Sequence, residues 1–175
     1  MAGHRRDIRG EYERVLEAVD RRDARAPAVP VAALPALGEI VYAARGEGCY
    51  WNGRRARVSS IDRLEDALVL ATDVSAMSRH GRDGAYERLR DASKMQRTWG
   101  DCYGHALVAT GRAEAMLDPI MNIWDCAALM PIVEEAGGTF TDWSGRRTHE
   151  APEALSTNGV LFEQVLARVP DNRDE

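Results

Sequence analysis

From Asp83 to Val169 apolar stretches of helix length take turns with apolar stretches of strand length, and glycine or a polar turn parts each from the next. Helices and strands that alternate along a chain bury their apolar faces best as layers, with helices packed on a sheet. The pattern therefore predicts a layered α/β fold rather than a helical bundle. Predicted helices cover Asp83–Met95, with Tyr86, Leu89 and Arg90 spaced for one face, and Cys102–Thr110, ended by Gly111 as a C-cap. Two more cover Trp124–Ala136, ended by Gly137-Gly138, and Val160–Val169. Ala113–Leu117 and Thr139–Asp142 read as strands, and Ser156-Thr157-Asn158 leads into the last helix.

Upstream the period changes. Glu39–Ala44 is strand-like, Gly46 and Gly48 supply a turn before Cys49-Tyr50-Trp51, and Arg55–Val58 follows the pair Asn52-Gly53. Both residues of that pair tolerate positive φ, which predicts a type I′ hairpin turn and an antiparallel meander. A further strand is expected over Ala67–Thr72. Residues 1–25 are strongly charged, with Ile8, Tyr12, Val15, Leu16 and Val19 near helical spacing, as in a short amphipathic helix. Pro27, Pro30 and Pro35 then rule out a continuous helix and mark a linker or an irregular edge segment. The expected division is a charged extension and Pro-rich linker over 1–30, a domain over 31–170 and a tail over 171–175.

Composition narrows the functional classes. With 45% hydrophobic and 29% charged residues the chain has enough apolar surface for a core. The net charge of −5 argues against general nucleic-acid binding, which needs a basic face. No apolar run approaches the roughly 20 residues of a membrane span, and no apolar stretch follows the basic N-terminus as in a secretory signal. Cys49, Cys102 and Cys126 are scattered without a CxxC pair, which suits a reducing cytoplasm and excludes a zinc knuckle.

The segment from Leu117 to Ala128, LDPIMNIWDCAA, holds the most informative residues. Asp125 falls in the first turn of a predicted helix, where a carboxylate can cap free amides and meet the helix dipole. It can equally face a cleft and bind a hard cation, since magnesium takes one or two carboxylates with waters and phosphate oxygens. Asp118 ends a predicted strand ahead of Pro119, a position that serves either ligand contact or a turn. Upstream, Gly100, Asp101 and Cys102 open the helix Cys102–Thr110; a glycine there allows close approach to the backbone, the helix start offers amides to an anion, and Asp101 is a candidate N-cap. His105 sits on an apolar helix, where a core position is expected, whereas His80 and His149 lie in charged surroundings that predict contact with solvent. Cys102 and Cys126 are at helix starts, which can lower a thiol pKa. With no histidine near either in sequence, no cysteine nucleophile is expected.

Taken together these stretches resemble one family. RTWGDCYGHALVATGRAEAMLDPIMNIWDCAALMPIVEEAGGTFTDWSG is similar to the C-terminal signature of inositol monophosphatase-like enzymes: a WDxAA helix start, an EAGG turn and a strand. PALGEIVYAARGEGCYWNGRRARVS resembles the family's central-sheet segment, and STNGVLFEQVLARV its closing strand and helix. The resemblance covers residues 31–169, and RTWGDCYG with DPIMNIWDCAA leans to the histidinol-phosphatase branch. It implies a layered α/β fold and magnesium-assisted hydrolysis of a small phosphate monoester. It implies Asp125 as a metal ligand, and Asp118 as a contact to the alcohol portion of the substrate. Gly100, Asp101 and Cys102 would line the substrate pocket, with Arg97 as a basic residue nearby.

The family also has a glutamate pair and a DPIDGT-like motif upstream, and these supply most of the metal ligands. Neither occurs here, and residues 1–30 show nothing of the family. Three expectations follow from that gap: a phosphatase impaired by itself, a non-catalytic interaction module, or a gene fragment. An incomplete layer would leave apolar faces uncovered, so self-association or a covering partner is expected.

Overall fold

Extended segments before and after the turn region at residues 57–67 pair into two separate sheets. The computed structural model describes residues 29–169; the helix expected within residues 1–25 and the tail at 171–175 lie outside them. The first sheet is antiparallel in chain order: β1 (Val31–Leu34), β2 (Glu39–Ala44), β3 (Gly48–Trp51) and β4 (Arg54–Ala56). The β3–β4 turn is the expected one, with φ of 48° at Asn52 and 75° at Gly53. Asn52 also ties the turn to β2, accepting from the Ile40 N–H at 2.8 Å and donating to the Gly38 carbonyl at 3.1 Å.

Of the two readings of the Pro-rich stretch, linker or edge segment, β1 places part of it at the edge of the sheet. Pro30 and Pro35 flank it at the sheet's edge, where a missing amide donor breaks no ladder. Pairing begins with the Pro30 carbonyl, which accepts from Ala43.

The second sheet comprises β5 (Leu68–Ala71), β6 (Met95–Thr98), β7 (Ala115–Asp118), β8 (Thr139–Thr141) and β9 (Ala154–Thr157), in the order β6-β5-β7-β9-β8. β5 runs parallel to β6 and β7, and β9 antiparallel to β7 and β8. The helices are α1 (Val74–Arg79), α2 (Asp83–Ala92), α3 (Asp101–Ala109), α4 (Ile123–Glu135) and α5 (Phe162–Leu166). Several of these elements depart from the sequence reading, and α5 is shorter than the helix expected over Val160–Val169. The helix predicted to reach Met95 stops at Ala92, and Met95–Thr98 forms a largely exposed edge strand whose polar residues carry no strand pattern. α1 has only six residues, too few for periodicity, and is started by Asp73, whose carboxylate accepts from Ser75 and Ala76 at 3.1 Å each.

α3 and α4 pack on each other between the two sheets, α4 against β1, β2, β3 and β8, and α3 against β1, β7 and β9. Val41, Ala106, Leu129, Ile132 and Phe140 meet in that inner core. Each large apolar side chain removed from water there contributes about 1.5–3 kcal/mol. On the other face of the second sheet, Met77, Leu89 and Val165 from α1, α2 and α5 cover Val69, Leu117 and Leu155. The layers are thus sheet, helix pair, sheet and outer helices, as the alternation predicts. Glu135 at the end of α4 fastens the first sheet by accepting from Gly46 at 2.7 Å and Gly48 at 2.9 Å. Arg112 adds a bidentate pair with Glu39, at 2.9 and 2.6 Å, and lies 4.3 Å over the Trp51 ring.

Candidate active site

β5 and β7 lie side by side and parallel, so their carboxyl ends open at the same edge of the sheet. In open α/β sheets this is where ligands bind. Thr72 follows β5, Asp118 ends β7, and α3 and α4 contribute residues from their first turns. A cavity of about 380 Å³ is lined by Thr72, Asp101, Cys102, Asp118, Ile120, Met121, Asn122 and Asp125.

Close packing of α3 on β7 positions the first of these walls. A Cβ on Gly104 would collide with the Met116 sulfur and lie 2.9 Å from the Trp99 carbonyl oxygen. Only glycine lets the helix approach this strand so nearly. At the start of α3, Asp101 holds a left-handed φ of 55°, uncommon for a residue with a Cβ. Gly100, and not Asp101, is the N-cap. Gly100 itself is extended, and a Cβ there would meet only the Thr72 methyl at 3.8 Å.

Asp118 is 2% exposed. Its Oδ2 accepts from the Thr72 hydroxyl at 2.6 Å and its Oδ1 from the Ile120 N–H at 3.3 Å. Burial pushes its carboxyl pKa up; these two hydrogen bonds work the other way, and the charges of Asp101 and Asp125 add to the rise. Asp125 is exposed at the third helical position of α4 and reaches back to the N-cap Asn122, accepting from its N–H at 3.3 Å and its Nδ2 at 3.4 Å. Capping and a place in the cavity, alternatives in the sequence, therefore coexist in one residue.

Burial, joined by the charges of Asp101 and Asp125, raises the Cys102 thiol. Burial likewise takes Cys126 to about 11. Desolvation and neighbouring carboxylates outweigh the helix-start effect, so both stay protonated thiols at neutral pH. His105 is fully buried, its Nδ1 2.7 Å from the Ser156 hydroxyl and its ring 5.7 Å from that of Phe140, as a core residue. His80 is exposed and His149 half-buried.

Of the residues singled out in the sequence, Asp101, Cys102, Asp118 and Asp125 meet in this cavity, and Gly100 adjoins it. Arg97 does not line it: the side chain sits on the exposed edge strand β6 and donates to the Gln96 carbonyl at 2.7 Å. Thr72, Ile120, Met121 and Asn122 are additions. Thr72 was legible as the end of a predicted strand and Asn122 as an N-cap; Ile120 and Met121 gave no signal. Among the described residues no group of three or more His, Cys, Asp or Glu side chains is arranged to hold a metal ion.

A sequence model described as the inositol monophosphatase family matches residues 23–173. The chain belongs to the inositol monophosphatase family. The family match begins at Asp23, so the expectation that residues 1–30 show nothing of the family is corrected: similarity reaches back through the Pro-rich segment that leads into β1. Among its relatives in that family, the histidinol-phosphatase of Chlorobaculum parvum is 42% identical over 136 residues, 77% of this chain and 52% of that protein. The histidinol-phosphatase of Mycobacterium tuberculosis is 34% identical over 148 residues, 82% and 57% of the two chains. The solved inositol monophosphatase (IMPase) of Thermotoga maritima superposes with a TM-score of 0.72 at 31% identity, covering 79% of this chain and 54% of its own. The chain thus spans about half the length of the curated relatives it matches.

Proposed function

We propose that this inositol monophosphatase family chain serves the magnesium-assisted hydrolysis of small phosphate monoesters, of the histidinol phosphate or inositol monophosphate type. The observation that carries the reading is the convergence of Asp118 and Asp125 on one cavity at the carboxyl ends of β5 and β7. Every polar side chain lining that cavity apart from the Cys102 thiol offers oxygen, or in Asn122 an amide, and such donors suit a hard divalent cation better than a soft one. Asp125, exposed and aimed from the first turn of α4, would hold the cation. A bound magnesium neutralises phosphate charge and activates water. Asp118, locked by Thr72 and Ile120, would orient a hydroxyl of the alcohol portion. The start of α3, with Gly100 leaving room beside it, would offer backbone amides to the phosphate.

Asp125, the one carboxylate assigned to the cation, does not by itself hold a multi-metal cluster, and the chain has neither the upstream glutamate pair nor the DPIDGT-like motif. Turnover by this chain alone is therefore expected to be low. The absence of a three-ligand cluster among the described residues favours, as a second reading, an interaction module that kept the layers without catalysis. Self-association over the apolar side chains exposed near the cavity belongs to either reading. A cytoplasmic setting is supported by three free cysteines, two of them buried. No helix among the described residues is long and apolar enough to cross a membrane.

The deciding experiment measures phosphate release from histidinol phosphate and inositol monophosphate, with and without magnesium, by the chain and by Asp125→Asn. Magnesium-dependent release that falls about 100-fold or more in the variant is expected if Asp125 holds the cation, since losing a metal ligand removes several kcal/mol of transition-state stabilisation. No release above background from folded protein would leave the non-catalytic reading standing.

A further inference from the structure

Thr72 reaches the cavity from a different strand than Asp118, the side chain it holds. Its backbone is fixed on both flanks. The Thr72 N–H donates to the Leu117 carbonyl at 3.3 Å, which carries the β5–β7 pairing one residue past the end of β5. On the other flank, the carbonyl of the preceding Ala71 accepts from the Trp99 N–H at 3.0 Å.

A β-branched side chain on such a backbone has few rotamers open to it. The Thr72 methyl group lies towards the start of α3, where a Cβ on Gly100 would stand 3.8 Å from it. The hydroxyl is then left for Asp118 Oδ2 at 2.6 Å, the length of a charge-assisted O–H···O⁻ bond. Its single hydrogen is committed there, so the hydroxyl has none to donate to a ligand. The other bond to the carboxylate, from the Ile120 N–H, is longer at 3.3 Å and comes from two residues along the same loop. It moves with Asp118. Among the described hydrogen bonds, only the one from Thr72 ties this carboxylate to another strand.

We propose that Thr72 is a positioning residue that acts through Asp118, holding its carboxylate turned towards the alcohol portion of a phosphate monoester. This rests on the phosphomonoesterase reading, in which Asp118 meets that portion. Thr72 serves recognition of the alcohol portion and leaves recognition of the phosphate unaffected.

The test is calorimetric binding of glycerol 2-phosphate and of inorganic phosphate, which has no alcohol portion, to the full chain with magnesium present. Thr72→Val keeps the branched shape and the methyl contact but removes the donor, whereas Thr72→Ser keeps the donor. Affinity for glycerol 2-phosphate is expected to fall by about two- to tenfold in Thr72→Val, the range of one hydrogen bond, and to be retained in Thr72→Ser. Affinity for inorganic phosphate stays the same in both, which a merely structural role would not produce. In an Asp118→Asn background, Thr72→Val is expected to change ester affinity by less than about twofold, because the group it positions is gone. Unchanged ester binding in Thr72→Val, an equal loss for ester and phosphate, or a loss in Thr72→Ser would each overturn the assignment and leave the phosphatase reading standing. Failure of both ligands to bind the wild-type chain would overturn that reading and the assignment with it.

Discussion

At the scale of single residues, two buried groups set how the molecule responds to pH. His105 has no room for charge: burial lowers its pKa to about 3, and its Nε2 has no partner. The unfolded chain takes up this proton near the ordinary value of 6.5, the folded chain only near 3. Stability tied to neutral His105 is therefore fully present above pH 6.5 and is lost as pH falls from there towards 3. At pH 5, about 1.5 units below the unfolded value, the loss is about 2 kcal/mol. Urea midpoints measured between pH 7 and 5 should fall accordingly, and the slope over that window should flatten in His105→Gln.

Asp118 is perturbed in the opposite sense. Its raised pKa means the folded protein disfavours the carboxylate, so at neutral pH the charge costs stability. Asp118→Asn keeps an oxygen for Ile120 and can donate to a Thr72 hydroxyl turned to accept. The variant should be more stable than the parent by about 0.5–2 kcal/mol at pH 7. That gain should shrink as pH falls through the carboxylate range, and thermal melts at several pH values follow it. On the role proposed for Asp118 as a substrate contact, binding or turnover of phosphate esters should fall in the same variant.

At the scale of elements, the meeting of α3 with β7 governs the cavity wall. Gly104→Ala would gain about 1 kcal/mol in helix propensity. It would also push a methyl group into the Met116 side chain, which can move, and the Trp99 carbonyl, which cannot move without its strand-to-helix connection. Overpacking of this kind costs about 1–3 kcal/mol, so against that gain a net loss of up to about 2 kcal/mol is expected in denaturant midpoints. The displacement falls on the start of α3 and should reach Asp101 and Cys102.

At the scale of the whole molecule, apolar exposure gathers on the cavity side. Ile120 is 53% exposed and lines the cavity, while Ile123 and Trp124 open α4. Large apolar side chains exposed close together in sequence are candidates for contacts with other surfaces. We expect the chain to self-associate at micromolar concentration and to bind hydrophobic dye, both reduced in Ile123→Ser/Trp124→Ser. Size-exclusion chromatography giving a clean monomer without dye binding would count against that.

Much of the fold and part of the cavity were legible in the sequence because their causes are local. Asn52-Gly53 dictates its hairpin through positive φ, Gly111 ends α3, and the apolar periods of α4 and β7 identify them without reference to neighbours. The same locality marked Asp118 and Asp125 by their places at a strand end and a helix start. Edge strand β6 escaped, and β1 was legible only as a linker or an irregular edge segment, because partners, not their own side-chain patterns, hold them extended. Which residues share a cavity was likewise beyond local reading. Thr72 and Asp118 are 46 positions apart and meet only because β5 and β7 pair in parallel. The thiols illustrate the same point. A helix start alone would lower them, but burial raises them instead, helped at each by the carboxylate preceding it in sequence and by one the fold brings in, Asp125 at Cys102 and Asp118 at Cys126. Sequence fixes the elements through short-range sterics and apolar period; electrostatic environment and site composition arise from long-range pairing, which only the tertiary structure decides.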